Sequence, residues 1–286
     1  DGLATRAELI TMMRKEGVPA DRKGHSFRQV DLARYAASVS HDGDVFAPGV
    51  AIVVAEGEIA GGKQGPGSIG GESTAALIRE AREDRKTKAL VLRVNSPGGE
   101  VYAAEQIRRE IELTRTAGIP VVVSMGDVAA SGGYWISMNA NRIYAEPNTI
   151  TGSIGIFGMY YTVPNTLAKL GIQSDGVGTG PMAGAFYLTR SLDPKVGAVI
   201  QAIINKGYRD FVGNVAKARG KSYESIDAIA QGRVWTGQQA LERGLVDQLG
   251  GLDQAVAYSA SQALRGKDYP VRYEEAPLGS FERFLI

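Results

Sequence analysis

The sequence predicts an α/β protein built around a parallel sheet. Short apolar runs rich in Val, Ile and Leu alternate along the chain with amphipathic stretches of helical spacing, as expected for repeated strand–helix–strand units. Two of the apolar runs lead directly into glycine-containing turns, and a helical stretch follows each turn. Crossover connections of this kind are right-handed, so the strands are expected to lie side by side.

Composition limits the class of protein. The chain has 286 residues, enough for one large α/β domain with extensions. Its 32 basic and 31 acidic residues balance, so we expect no general nucleic-acid-binding surface. The absence of cysteine excludes disulfides, thiolate zinc sites and a cysteine nucleophile, and we expect neither a metal ion nor a cofactor.

No apolar run approaches the length of about 20 residues that crosses a bilayer. The chain starts with Asp1 rather than Met. We therefore expect it to be a piece of a longer product, with any targeting segment or anchor outside it.

Three regions are predicted along the chain. Residues 1–45 are polar and are interpreted as an N-terminal arm or inter-domain linker, with helical spacing over Thr5–Lys15 and again near Leu32–Ala37. The alternative is a flexible N-terminal tail. Residues 46–265 are predicted to form the main domain, and residues 266–286 a polar C-terminal tail.

The first part of the main domain alternates strands and helices. The predicted strands are Val50–Val54, Ala89–Val94, Pro120–Ser124, Arg142–Ala145 and Thr149–Ile156, with helices Ser73–Glu83 and Val101–Ala117 between them. The glycine-rich segment Gly61–Gly71 lacks the Gly-Lys-Ser/Thr spacing of a phosphate-binding loop. It is interpreted as a mobile surface loop near a cleft.

The second part is predicted to be mostly helical. Val196–Arg219 is long and amphipathic, with Val199 and Ile203 among the residues of its apolar side. A shorter helix begins after the cap Thr236 and is ended by Gly244. The last predicted helix is Gly251–Ala263.

Ser131 is the strongest candidate for a reactive residue. It follows the apolar run Ile119–Val123, lies among the small residues of Gly126–Gly133, and precedes a predicted helix. Small residues allow a sharp turn that presents a hydroxyl, and the N–H groups at a helix start suit a developing oxyanion. The alternative is an ordinary helix-capping serine, which is common at such positions.

A second glycine turn strengthens this interpretation. The sequence Ser96-Pro97-Gly98-Gly99 also follows a predicted strand. The two turns could face each other, with the N–H of Gly132 and one N–H of the Gly98–Gly99 pair binding the oxyanion. Each turn by itself is typical of ordinary connections in α/β proteins.

Three motifs in order carry a resemblance to a known family. Ser96–Gly99, Asp127–Tyr134 and Thr151–Gly155 resemble the motifs of signal peptide peptidase A, membrane-associated bacterial serine proteases with a Clp protease/crotonase-like fold. The similarity extends from about residue 49 to about residue 254. Gly24–Val30 is similar to the region that joins the two halves of the long, tandem-domain form. The resemblance implies a ββα-type spiral of parallel sheets flanked by helices.

The sequence does not identify the general base that would take the proton of Ser131. A serine hydroxyl needs a base to take its proton, and the two histidines, His25 and His41, both lie in the N-terminal arm. A Ser-His-Asp triad is therefore not predicted, and a lysine whose pKa is lowered by burial is the other option. The resemblance implies such a Ser-Lys dyad, and Ser153 is a candidate to orient the lysine, or simply a turn-capping serine.

This chain departs from the short members of the family at the lysine position. Their lysine lies in a segment similar to Val177–Met182, where this sequence has Pro181. The departure fits the serine-bearing C-terminal half of the long form, with the lysine supplied by the N-terminal half. Two alternatives remain: Lys63, Lys169 or Lys195 substitutes as the base, or the domain is inactive.

The resemblance also implies a substrate, an assembly and a location. It implies an endopeptidase that degrades leftover signal peptides, works as a homo-oligomer (a tetramer), and is held at the inner membrane with its catalytic domain on the periplasmic side. Apolar residues that could line substrate pockets, although most are expected in the core, are Tyr134, Trp135, Ile154, Ile156, Phe157 and Met159. The alternatives are a crotonase-type acyl-CoA enzyme and a non-catalytic assembly domain.

Overall fold

The computed structural model describes residues 6–16, 47–180, 182–264 and 269–274. The chain divides into two compact units, residues 1–45 and 46–286. In the first unit, helix α1 covers Arg6–Lys15, one residue shorter than predicted. The predicted helical stretch near Leu32–Ala37 and both histidines lie outside the described residues.

The second unit is organised by one parallel-dominated sheet, which confirms the predicted fold class. The strands in chain order are β1 (Gly49–Glu56), β2 (Glu58–Ala60), β3 (Ser68–Gly70), β4 (Thr87–Ser96), β5 (Val121–Ala130), β6 (Arg142–Ala145), β7 (Ile150–Gly152), β8 (Val234–Thr236), β9 (Gln248–Leu249) and β10 (Val271–Glu274). The spatial order is β10-β1-β4-β5-β6-β9, and every neighbouring pair is parallel.

Three further pairings complete the strand arrangement. Strand β7 pairs in parallel with the end of β5 and antiparallel with β8. Strands β2 and β3 form a separate parallel pair.

The remaining helices are α2 (Gly71–Glu83), α3 (Val101–Thr116), α4 (Gly132–Ser137), α5 (Pro164–Lys169), α6 (Pro194–Arg219), α7 (Tyr223–Asp227), α8 (Gly237–Glu242) and α9 (Leu252–Ala263).

The central strands are buried on both faces. Leu90 and Leu92 of β4 belong to one apolar cluster with residues of α2 and α3, whereas Val91 packs on the other face with Ala255 and Ala260 of α9. A strand that is covered on both sides needs an uninterrupted apolar run rather than alternation. This requirement explains why the sequence pattern identified β4 and β5.

Strand β5 is longer than predicted, and the difference determines where Ser131 lies. The predicted strand ended at Ser124, but β5 continues to Ala130. It does so because it changes partners: Val122–Ser124 pair with β6, and Val128–Ala130 pair with β7. The turn that the sequence placed over several small residues is therefore concentrated at Ser131.

Other elements also differ from the predictions. The glycine-rich segment predicted as a loop contains β3, and β10 joins the sheet although it lies within the predicted tail 266–286. Two residues of the predicted apolar side of α6 are open to solvent, with Val199 46% and Ile203 65% exposed. None of the described helices combines the length and apolar character that a membrane-spanning segment needs.

A buried carboxylate fastens α2 to α3. Glu110 of α3 accepts a hydrogen bond from Arg79 at 2.6 Å and another from Arg82 at 2.5 Å, both from α2. Burial by itself would raise the pKa of Glu110, but the hydrogen bonds and charges of the two guanidinium groups hold the pKa below its ordinary value. The ionised form of Glu110 is therefore favoured by folding.

Replacing this carboxylate gives a pH-dependent loss of stability. We expect Glu110→Gln to lower the free energy of unfolding by about 2 kcal/mol at pH 7. The pKa of Glu110 is lower in the folded protein than in the unfolded protein. The stabilisation is therefore fully present at pH values above the pKa of the unfolded state, and it is lost as the pH falls through the pKa of the folded state. Urea unfolding at pH 7 and at pH 3.5 measures both values, and the loss should shrink at the lower pH.

The control is Glu112→Gln, since Glu112 is more exposed and should contribute less than about 1 kcal/mol. An equal loss at both pH values for Glu110→Gln would contradict the assignment.

Candidate active site

Ser131 lies at the junction of β5 and α4 in a strained backbone conformation. It is the N-cap residue of α4, with φ 52° and ψ −116°. Its N–H donates to the carbonyl of Gly152 at 2.9 Å, and its carbonyl accepts from the N–H of Trp135 at 2.9 Å. A non-glycine residue at positive φ is unfavourable and persists only where the surroundings hold it. Here the β7 strand and the first turn of α4 hold it.

The two glycine turns are in direct backbone contact. A Cβ added to Gly98, whose φ is 113°, would lie 2.7 Å from the nitrogen of Gly132 and 2.8 Å from the Cβ of Ser131. A Cβ on Gly132 would lie 3.1 Å from the nitrogen of Gly99. A Cβ on Gly133 would lie 2.7 Å from the carbonyl oxygen of Ser96. The turns therefore face each other, and glycine is needed on both sides.

The contact leaves backbone donors beside Ser131. The N–H of Gly98 donates to Ser96 Oγ at 3.2 Å. In the part of the chain that the structure describes, the N–H groups of Gly99 and Gly132 have no hydrogen-bond partner. Of the Gly98–Gly99 pair named by the sequence, Gly99 is thus the available donor.

A cleft of about 730 Å³ opens beside these turns. Its wall is largely apolar and includes Val101, Ala104 and Phe211. The ring of Trp135 lies 4.4 Å from that of Phe211, centroid to centroid. The complete set of lining residues is Glu58, Pro97, Gly98, Gly99, Val101, Ala104, Ser131, Gly132, Trp135, Ser153, Gly155, Ile156, Phe157, Tyr208, Phe211, Gln231 and Gly232.

The predicted pocket residues separate into three groups. Trp135, Ile156 and Phe157 line the cleft. Tyr134 and Ile154 are buried in the core, where the Tyr134 hydroxyl donates to the carbonyl of Leu245. Met159 is exposed and does not line the cleft.

Backbone strain is concentrated at the cleft. Among the described residues, the non-glycine positions with positive φ are Ser131, Ser153 and Gln231, and all three line the cleft. Clusters of strained residues are typical of functional sites. Sequence reasoning found Ser131 and Ser153 but missed Gln231. The only available signal was a turn-forming Gln-Gly pair, with nothing to connect it to a serine 100 positions earlier.

No cationic side chain lines the cleft that the described residues form. Its titratable side chains are Glu58 and Tyr208. Burial, together with a hydrogen bond to Asp227, raises the pKa of Tyr208 to about 12, so this phenol stays protonated at neutral pH. The described walls of the cleft therefore supply Ser131 with neither a lysine nor a histidine base.

The other lysine candidates do not lie in the cleft. Lys63, Lys169 and Lys195 are all exposed and are absent from its described walls. Pro181, at the position where short members of the family carry lysine, lies outside the described residues.

The parallel-dominated sheet and the serine at a strained strand–helix junction define an α/β protein whose candidate active site has a serine as its nucleophile. The chain belongs to peptidase family S49, whose family model matches residues 114–264. The resemblance to signal peptide peptidase A is thereby confirmed.

Known proteins support this placement. The chain is 46% identical to Protease 4 of Salmonella typhi, over 97% of this chain and 44% of the relative. It is 36% identical to the chloroplastic serine protease SPPA of Arabidopsis thaliana, over 90% of this chain and 38% of the relative. The chain thus spans less than half the length of these relatives.

A solved structure shows the same fold. A mutant of the 1510-N membrane-bound stomatin-specific protease superposes with a TM-score of 0.51 and 16% sequence identity. The superposition covers 82% of this chain and all of the other. At this identity the similarity concerns the fold alone.

The contact between the glycine turns can be tested with a matched pair of substitutions. Gly98→Ala introduces a Cβ against the backbone of Gly132, whereas Gly118 has a comparable φ of 84° but open space around it. We expect Gly98→Ala to lower the free energy of unfolding by about 3 kcal/mol and Gly118→Ala by about 1 kcal/mol. Urea unfolding followed by circular dichroism measures both values. Equal losses would show that the turns do not depend on this contact.

Proposed function

We propose that this chain is the serine-bearing domain of an endopeptidase that degrades leftover signal peptides and other short apolar peptides. Ser131 is the nucleophile of a Ser-Lys dyad. The observation that carries the proposal is the placement of Ser131, held at positive φ between two glycine turns and next to unpaired backbone N–H groups. Family membership supports the same chemistry.

The mechanism follows from this placement. The Oγ of Ser131 attacks the peptide carbonyl carbon while a neutral lysine amine takes the hydroxyl proton. The N–H groups of Gly99 and Gly132 bind the tetrahedral oxyanion, and a preorganised donor of this kind is worth about 10²–10³ in rate. The C–N bond then breaks, the ammonium returns its proton to the leaving amine, and water hydrolyses the acyl-enzyme.

The lysine comes from the N-terminal half of the same protein. Two observations support this part of the proposal: the described cleft contains no cation, and the relatives are more than twice as long as this chain. Ser153 lines the cleft, and its hydroxyl makes no hydrogen bond among the described residues, so it is free to orient an incoming ammonium.

A chain segment that begins at the cleft residue Phe157 carries many exposed apolar side chains, which suit contact with a docking partner. Between residues 157 and 203, many apolar side chains are exposed rather than packed, and exposed apolar clusters of this kind mark interaction sites. They are Phe157, Met159, Tyr161, Leu170, Ile172, Val177, Met182, Phe186, Tyr187, Leu188, Val199 and Ile203. We assign this surface to contacts with the other half and with further copies in a tetramer.

The substrate class follows from the lining and from the neighbouring strand. The walls of the cleft are apolar around Trp135 and Phe211, which suits the apolar core of a signal peptide. Strand β2 reaches the glycine turn, where Ile59 donates to the carbonyl of Gly98 at 2.8 Å. In this turn the N–H of Gly99 is unpaired among the described residues, so the backbone of an extended peptide can bind to the turn there. Association with the inner membrane, with the domain on the periplasmic side, completes the proposal.

The nucleophile is tested with a fluorophosphonate probe. We expect weak or no labelling of this chain alone, and labelling at Ser131 when the N-terminal half is present. Ser131→Ala should abolish labelling and lower peptide hydrolysis by about 10³-fold or more, because the attacking oxygen is lost. Ser131→Gly is the second variant, since glycine tolerates the positive φ and separates folding from chemistry. Labelling that survives either change would defeat the assignment, and binding of an acyl-CoA without labelling would favour the crotonase alternative.

The origin of the base is tested by removing the three candidate lysines of this chain one at a time. We expect Lys63→Ala, Lys169→Ala and Lys195→Ala to leave peptide hydrolysis by the full-length protein within about twofold of the wild-type rate, because each side chain is exposed. Steady-state kinetics measure the effect. A loss of about 10³-fold at one of them would identify it as the base and remove the need for a lysine from the other half.

A further inference from the structure

We propose that Tyr208 and Asp227 are positioning residues that hold the Gln231–Gly232 turn and, through this turn, Ser153 in the wall of the cleft. The inference rests on the proposed function and deepens it. It concerns residues that are far from Ser131 in sequence and that the glycine motifs do not include.

The first step is a hydrogen bond between two helices. Tyr208 of α6 lines the cleft and packs against the main apolar cluster, and its hydroxyl donates to Asp227 Oδ1 at the end of α7. Burial and this bond keep the hydroxyl protonated, so it remains a donor over the range in which proteins are assayed. We call this bond the Tyr208–Asp227 latch.

The second step leads from the latch to the turn. The N–H of Ala230 donates to the carbonyl of Asp227 at 3.2 Å, so the chain after α7 turns back at once toward the cleft. On its far side this segment is held by Trp235, whose Nε1 donates to the carbonyl of Ile229 at 3.0 Å. Gln231 follows with a φ of 60°, a conformation that its surroundings must impose.

The third step connects the turn to Ser153. The N–H of Gly232 donates to the carbonyl of Ile154 at 3.0 Å, and the N–H of Ser153 donates to the carbonyl of Arg233 at 2.7 Å. These bonds continue the antiparallel pairing of β7 with β8 into the cleft wall. A Cβ on Gly155 would lie 2.9 Å from Gly232 Cα, so the two segments also touch.

Ser153 is itself at positive φ, 48°, and depends on this pairing. Any displacement of the turn therefore displaces the residue proposed to orient the lysine. A small misplacement of a catalytic geometry costs up to about 10²-fold in rate. The latch thus acts on catalysis without touching the substrate carbonyl.

The kinetic test uses the full-length protein and three variants. We expect Tyr208→Phe to lower kcat about tenfold or more with KM within twofold of wild type, because orientation rather than binding is lost. Asp227→Asn keeps an acceptor oxygen and should retain most of the activity. Tyr223→Phe is the matched control, since that hydroxyl makes no hydrogen bond among the described residues, and its rate should be unchanged.

A second measurement reports directly on the backbone of Ser153 and Gly232 in the cleft wall. Hydrogen–deuterium exchange should show the amides of Ser153 and Gly232 exchanging about tenfold faster in Tyr208→Phe, and at the wild-type rate in Tyr223→Phe. Unchanged exchange would overturn the latch. Faster exchange with an unchanged kcat would overturn its catalytic role.

The two proposals fail in different ways. A fully active Ser131→Ala enzyme would overturn the proposed function and, with it, the catalytic role of the latch. A wild-type kcat in Tyr208→Phe, when Ser131→Ala is inactive, would overturn the latch alone. A raised KM with an unchanged kcat would identify Tyr208 as a substrate contact instead.

Discussion

The site depends on a backbone-to-backbone contact between the turn after β4 and the turn after β5. At Gly98 and Gly133 a single added carbon would fall within 3 Å of the opposing chain. This closeness places two unpaired N–H groups beside one hydroxyl without any side chain to hold them. It also explains why Ser131 can stay at positive φ, since the surrounding backbone leaves it no relaxed alternative. Catalytic groups built in this way are preorganised, because little has to move when charge develops.

The same arrangement leaves the proposed enzyme incomplete within the described residues. Donors, nucleophile and an apolar cleft are present, but no amine lies beside the serine. A buried lysine is a costly group to keep in one domain, because desolvation disfavours its charge. Bringing it from a second half would assemble the base only where the two halves meet. The exposed apolar residues between 157 and 203 lie in the segment that follows Ser153, which suits such a meeting surface.

Sequence patterns were most reliable where burial alone decides the structure. The apolar runs of β1 and β4, the start of β5, the helix α3 and the capped helix after Thr236 were all recognised within a few residues. The patterns were least reliable for short strands with distant partners. Strand β10 pairs with β1 more than 200 residues earlier, and β8 pairs with β7 more than 80 residues earlier. Neither strand has a periodicity strong enough to be seen without its partner.

By itself the sequence determined the parallel α/β class, and it identified the two glycine turns and Ser131 as a candidate site. It could do so because small residues at fixed offsets from a buried strand leave few alternative conformations. It also determined that no histidine lies in the main domain, since both are in the first 45 residues. Only the tertiary structure decided that the N–H of Gly99, rather than that of Gly98, is unpaired among the described residues. It also decided that Gln231 and Tyr208 line the cleft. The partial exposure of the apolar side of α6 was likewise visible only in the structure. Gln231 and Tyr208 reach the cleft from segments far along the chain from Ser131, and local pattern does not encode such contacts.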